Sequence, residues 1–351
     1  MSSKKFKREM LSSYKERVNV VEMLSDHDRK GSLYLRIKNI FSLFLMSMKQ
    51  VHKKRYDFII LTSYPPFLQS MILLFFINKG TKIIYYVQDI QINYFKLKIL
   101  NKLLRISIKY ILKRTNYVIT LSSEMKDTLL DINHNFDKKD IFVLNNFTDT
   151  IDENKNLSIS NIQKKYDLIY AGSLGTQQQV LNFVKFFKKF LYTNQQRKFV
   201  IYGEGTERHD IEKYISDEKL QKNILLKKYI PKEELMIEIS KSKFVLVSVK
   251  NDIFNFAYPS KIIDSIINGF PVLVTADTDS KISNFINQNN LGSSINIYSN
   301  DINNEMVLLE NLLKNYKKFS SEIIQDFANK EFGKNKFLSK FNEIFEQISE
   351  N

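Results

Sequence analysis

The apolar and polar positions of this chain follow two alternating periods. Short β-branched or aromatic runs recur at Val18–Val21, Tyr56–Leu61, Lys82–Val87, Tyr117–Leu121 and Ile141–Leu144, and each reads as a strand. Between them apolar residues return at helical spacing, over Leu33–Val51, Phe67–Asn78, Asn93–Arg114 and Met125–Asp131, the last capped by Ser122-Ser123-Glu124. Thr148–Lys165 has little periodicity and reads as a linker. A second series then begins, with strands expected at Asp167–Tyr170, Phe199–Tyr202, Asn223–Leu226, Phe244–Val249 and Val272–Val274. Its helices are expected over Val180–Leu191, Asp210–Ile215, Lys232–Ser240, Lys281–Gln288, Asn304–Phe319 and Ser321–Ile348, the last broken near Gly333. Strand and helix alternating in both halves predict an α/β protein with parallel, doubly wound sheets. The division expected is a first domain over 1–150, a linker over 151–165, a second domain over 166–334 and a terminal helix over 335–351.

One stretch, Phe256–Thr275, organises the second half. It reads as a loop, a short helix, a glycine stop and a buried strand. Pro259 suits a first helical turn, because its missing N–H has no partner to lose there. Ile262, Ile263, Ile266 and Ile267 form one apolar face, Gly269 supplies the left-handed residue that ends the helix, and Pro271 prevents its restart. The amides and positive dipole end of such a helix attract an anion, beside which Ser260 and Lys261 stand. Asp264, one turn in, is placed to reach a ligand hydroxyl. Two glycine turns follow strands upstream, at Gly172-Ser173 and at Gly203-Glu204-Gly205. A nucleotide diphosphate needs backbone donors, positive charge and an acid for its ribose hydroxyls, and these residues supply all three.

Composition narrows the picture. Apolar residues make up 43% of the 351 positions, enough for real cores. There is no Cys, which excludes disulfides and thiol chemistry, and four scattered His disfavour a zinc site. The apolar run Phe67–Ile77 is too short to span a bilayer, so a cytoplasmic protein is expected. The net charge of +15 is uneven: residues 1–150 carry 26 Lys/Arg against 13 Asp/Glu, and the rest is almost balanced. Lys98, Lys102, Arg105, Lys109 and Lys113 share one helical face, with Leu100, Leu103, Leu104, Ile108 and Ile111 filling its flanks and back, and no acid lies between Asp89 and Glu124. This predicts peripheral binding to an anionic membrane. No nucleic-acid recognition motif accompanies the charge. Asp89 follows a strand, where α/β sheets place ligands, and is a candidate to orient or deprotonate an acceptor hydroxyl. Asp277-Thr278-Asp279 has a metal-binding pattern but reads as a turn.

The stretch around Asp264, with Gly269, Pro271 and Val272 in register after it, resembles the donor-site helix of glycosyltransferase family 4. Pro259-Ser260-Lys261 resembles the variant found in O-antigen and capsule transferases. The order Tyr170-Ala171-Gly172-Ser173-Leu174-Gly175, Tyr202-Gly203-Glu204-Gly205, Ile230-Pro231 with Glu233-Glu234-Leu235 is similar to that family's nucleotide-sugar domain, and Ser63–Pro66 and Val87-Gln88-Asp89 to its acceptor domain. The resemblance implies the GT-B fold: two Rossmann-like domains facing a cleft, the last helix crossing back to the first domain. It implies transfer of a sugar from a UDP- or GDP-linked donor to a lipid-linked or glycan acceptor at the inner membrane face, with retention of configuration and with no metal or other cofactor. The sequence departs from the family in four places. Phe256 stands where an acid is expected, and Asp264 replaces a glutamate. The loop from Gly172 to Val180 has no Lys or Arg, and a first strand with a glycine-rich loop is expected before Val18. The last departure predicts a first domain incomplete at its N-terminus, and with Phe256 keeps open a second reading, an inactive or truncated relative.

Overall fold

The structure is a computed structural model that describes residues 33–52, 55–76, 80–90, 92, 97–133, 140–147, 162–248 and 260–350. The strand expected at Val18–Val21, most of the linker and the loop Phe256–Pro259 lie outside the described residues. In chain order the elements are α1 (Leu33–Val51), β1 (Phe58–Thr62), α2 (Leu68–Phe75), β2 (Lys82–Val87), α3 (Lys98–Arg114), β3 (Tyr117–Thr120), α4 (Ser123–Ile132) and β4 (Ile141–Val143). There follow β5 (Tyr166–Ala171), α5 (Val180–Leu191), β6 (Phe199–Tyr202), α6 (Arg208–Asp217), β7 (Ile224–Lys227), α7 (Lys232–Ser240), β8 (Ser242–Ser248) and α8 (Ser260–Ile266). The chain ends through β9 (Val272–Thr275), α9 (Lys281–Gln288), β10 (Gly292–Ile295), α10 (Ile302–Lys314), α11 (Ser321–Phe332) and α12 (Lys334–Glu350). Contacts group the described residues of Met1–Val87, Gln91–Val118 and Ile132–Asp140 into one compact unit, and those of Gln88–Ile90, Ile119–Asp131 and Ile141–Asn351 into a second.

The first sheet has the order β1-β2-β3-β4 among the described residues, and β1 runs parallel to β2 with Phe58 opposite Lys82. Helices α1, α2 and α3 pack in series beside it, and α3 also touches β2. Ser122 caps α4 by accepting the Met125 amide.

The second sheet has the order β10-β9-β8-β5-β6-β7, and its paired strands are parallel. The chain leaves β5 toward β7, then returns to the other side of β5 at β8. That reversal is a topological switch point, where open α/β sheets bind ligands beyond the carboxyl ends of their strands. Alternate strand residues feed two cores. Leu168, Tyr170, Phe199, Ile201, Phe244 and Leu246 meet Phe183, Phe187 and Phe190 of α5 on one face. On the other face Ile169, Val200, Val245, Val247, Val272 and Val274 meet Ile262, Ile263 and Ile266 of α8 and Ile267 just after it. The apolar face expected for α8 is thus the one that docks it.

The sequence reading placed α5, α7 and α9 at their observed bounds. It did not foresee β10, whose Gly-Ser-Ser-Ile gives no apolar run, although Ile295 is buried. The helix expected over Asn304–Phe319 stops at Lys314, and Tyr316–Lys318 tightens into a 3-10 turn. Gly333 separates α11 from α12 in the break expected.

Candidate functional site

The two glycine turns at the switch point are locked together by backbone contacts. The Gly172 amide donates to the Tyr202 carbonyl at 2.9 Å, and the Leu174 amide to the Glu204 carbonyl at 2.9 Å. A Cβ on Gly203 would stand 2.1 Å from the Gly172 carbonyl oxygen, so only glycine lets the turns approach this closely. Arg208 anchors the second turn by donating to the Gly203 carbonyl at 2.6 Å and the Lys227 carbonyl at 3.0 Å. Its Nε stands 3.6 Å from Glu204, which is exposed.

Lys261, in the first turn of α8, reaches back over the other turn. A Cβ on Gly172 would stand 2.2 Å from the lysine Nζ, and Gly172 has φ +147°, a conformation that side chains disfavour. Lys261 Nζ donates to the Tyr170 hydroxyl at 2.9 Å and lies 4.4 Å from the centre of that ring. The Tyr170 hydroxyl in turn donates to the Ser173 carbonyl at 2.6 Å. Burial raises the Tyr170 pKa, with a smaller contribution from the Glu207 charge, so the phenol stays neutral. Burial pushes the Lys261 ammonium down to about 8. Among the described residues no carboxylate pairs with it. A desolvated cation with a single neutral hydrogen-bond partner is a receptor for an anion.

The structure therefore brings Gly172, Ser173, Gly203 and Lys261 together. Ser260 and Asp264 belong to α8 beside Lys261, and both are exposed. Asp89 lies just beyond β2; its side chain is exposed by area, yet the atoms crowding it raise its carboxyl above the usual range. Lys98, Lys102, Arg105, Lys109 and Lys113 all project from α3 into solvent. Asp277-Thr278-Asp279 forms a turn in which the Asp277 carboxylate accepts from the Asn296 side chain at 2.7 Å. No acid or histidine cluster able to hold a metal occurs among the described residues.

Two participants escaped the sequence reading. Tyr170 was legible as a strand residue, but nothing in a sequence couples it to a lysine 91 positions later. Arg208 follows the second turn by three residues, a spacing that suits a helix start and signalled nothing more. A cavity of about 690 Å³ opens elsewhere, lined by Asp167, Arg197, Lys243 and Glu310. It lies at the amino ends of β5, β6 and β8, the wrong end of a parallel sheet for a donor. There Asp167 accepts from Arg197 at 2.9 Å and Lys243 at 2.7 Å, and Arg197 also holds Glu310 at 2.7 Å.

Comparison with known proteins gives a consistent answer. The family model Glycosyltransferase Family 4 matches residues 11–151, and Glycosyl transferases group 1 matches residues 152–325. No curated protein sequence matches significantly. Among solved structures, a variant of S. aureus TarM in complex with Fondaparinux, alpha-GlcNAc-glycerol and UDP is similar at TM-score 0.63 and 18% identity, over 86% of this chain and 58% of that one. This chain thus spans little more than half of TarM. A glycosyltransferase from Rickettsia africae is similar at TM-score 0.65 and 16% identity, covering 97% of this chain and 88% of that one. Anabaena HepE in complex with UDP and glucose gives TM-score 0.64 and 12% identity, with 97% and 88% covered.

Proposed function

We propose that this chain, which belongs to the GT-B glycosyltransferases and carries family 4 and group 1 domains, transfers a sugar from a nucleotide-diphosphate donor to a lipid-linked or glycan acceptor in surface-polysaccharide synthesis. The observation that carries this reading is Lys261: a half-buried, desolvated cation with no carboxylate partner among the described residues, held over a glycine turn at the switch point of the second sheet. The loop after β5 lacks the cations a diphosphate needs, and Lys261 supplies one from a different element.

In this reading the donor diphosphate sits against Lys261 and the turns at Gly172 and Gly203, which the glycines let pack together and under the lysine. Ser173 and Ser260 donate to its oxygens, and Asp264 accepts from a ribose hydroxyl. UDP is the favoured nucleotide, since similar folds are solved with UDP and UDP-glucose. The bond from the anomeric carbon to the β-phosphate oxygen breaks, and its electron pair leaves with the diphosphate. The Lys261 charge stabilises that developing anion. An acceptor hydroxyl oxygen forms the new bond with retention of configuration. Asp89, made more basic by its surroundings, orients this hydroxyl or takes its proton. The exposed basic face of α3 draws the enzyme to anionic headgroups, at about 1 kcal/mol per basic residue. Among the described residues no helix is long and apolar enough to cross a membrane. The reading is tested by offering UDP- and GDP-sugars with candidate acceptors and measuring nucleotide release. Release that needs both donor and acceptor supports it; absence of release with every donor, together with no UDP or GDP binding, opposes it.

A further inference from the structure

The outward surface of α3 is not the uniformly cationic face its sequence suggests. Leu104, Ile108, Ile111 and Leu112 are buried, but Ile99 and Ile106 are 62% and 56% exposed, and Leu103 is 47% exposed. Ile99, Leu103 and Ile106 are spaced i, i+4, i+7, so they form an apolar stripe alongside the basic one. The two stripes together make the side of the helix that faces away from the core. Neighbouring α2 is joined to α3 by a hydrogen bond from Ser107 to Ser70 at 2.9 Å, and leaves Phe75 60% exposed. The Phe75 ring packs against Phe44 of α1 at 5.5 Å, and Phe44 against the exposed Phe41 at 6.1 Å.

From this we infer that α3 enters the bilayer interface: Ile99, Leu103 and Ile106 sink among the upper acyl chains while Lys98, Lys102, Arg105 and Lys109 hold lipid phosphates. The inference rests on the membrane-side reading above for its purpose and adds to it an inserted, salt-resistant mode of attachment. Charge identifies the occupant. Helices α1, α2 and α3 contain nine Lys/Arg (Arg36, Lys38, Lys49, Lys98, Lys102, Arg105, Lys109, Lys113, Arg114) and no Asp/Glu. A second copy of the same surface would repel it. Residues 1–32 carry eight Lys/Arg against five Asp/Glu and are no better matched. Nucleic acid would satisfy the charge but not branched aliphatic side chains. An anionic bilayer satisfies both, since an amphipathic helix with basic and apolar stripes lies in the interface plane.

The chain has no Cys, so single cysteines can be introduced cleanly. Ile106→Cys, Lys109→Cys and, as a control in the second unit, the exposed Ile323→Cys would carry an environment-sensitive fluorophore, with phosphatidylglycerol/phosphatidylcholine vesicles and no donor or acceptor. The expected result is a blue shift, with quenching by lipids spin-labelled near the headgroup, at position 106 only. The triple change Ile99→Gln, Leu103→Gln, Ile106→Gln should keep the melting temperature and lose more than tenfold of the binding that survives at about 0.5 M salt, where screening reaches only about 4 Å. Equal binding by this variant at high salt, with a probe that stays in water, overturns insertion and leaves the transferase reading intact. Sedimentation showing that the same substitutions dissociate a lipid-free dimer, or tighter binding to RNA than to vesicles, also overturns it.

Discussion

Replacing Lys261 by Met separates what the lysine costs from what it does. The side chain is half-buried, and its pKa falls from 10.5 to about 8 because the charged form is desolvated. At about 1.4 kcal/mol per tenfold, this gap amounts to about 3 kcal/mol against the folded state wherever the lysine is charged. Below about pH 8 the amine is protonated in both states and the cost is present. Between about 8 and 10.5 the unfolded chain holds the proton and the folded chain does not, so unliganded stability rises with pH across this window. Met removes the charge but also the hydrogen bond to Tyr170, worth about 1 kcal/mol. The variant should therefore be more stable than the wild type at pH 7 by about 1–3 kcal/mol, or about 2–4 °C in Tm per kcal/mol. It should also lack the rise in stability between pH 8 and 10.5. Affinity for UDP should move the other way, weakening by about 1.5–3 kcal/mol for the loss of a charged hydrogen bond. Denaturant titrations at pH 7 and 10, with calorimetric titration of UDP, read both quantities. A variant that is less stable without ligand and binds UDP as the wild type does would refute the reasoning.

Asp264→Asn should leave the melting temperature unchanged, because the residue is exposed, and weaken donor binding or turnover by about 1.5–3 kcal/mol; calorimetry with UDP-sugars reads it. Gly203→Ala should destabilise the second unit by several kcal/mol, because its Cβ meets the backbone oxygen of Gly172 at 2.1 Å, whereas at Gly172 the steric obstacle is the flexible end of Lys261 and the cost of alanine is the strain of φ +147°; thermal melts of the two variants compare them. Asp89→Asn should lower kcat by about 10²–10⁴ without changing UDP affinity, as expected for an acceptor-side base. Asp167→Ala leaves Lys243 without a carboxylate and Arg197 with Glu310 alone, and should cost about 1.5–3 kcal/mol of stability while leaving UDP affinity intact; a denaturant curve measures it.

Much of the second unit was legible because its signals are local. Gly172, Gly203 and Gly269 punctuate strands and helices in the sequence as they do in the structure. The isoleucines of α8 announce the face it buries. Where signals are not local, reading failed. β10 is built from Gly-Ser-Ser-Ile and exists because Gly292 can lie against the Val272 backbone, where a Cβ would meet its oxygen at 1.9 Å. Lys261 was readable as a cation near the turn, but its lowered pKa depends on desolvation, which only packing creates. On α3 the pattern placed Leu103 with the flanking apolar residues, and the structure leaves it half in solvent. There the buried neighbour at one turn is Ser107, bonded to Ser70, a polar residue that no hydrophobic pattern assigns to a core.

The central claim is that the glycine turns and Lys261 hold the diphosphate of a donor sugar during transfer. Its most direct test is multiple-turnover assay of the full chain with UDP- and GDP-sugars and lipid-linked acceptors, matching released nucleotide to glycosylated product by mass spectrometry. The account predicts one nucleotide released per sugar transferred, and loss of that release in Lys261→Met protein that remains folded. Equal turnover by wild type and folded Lys261→Met protein would contradict it.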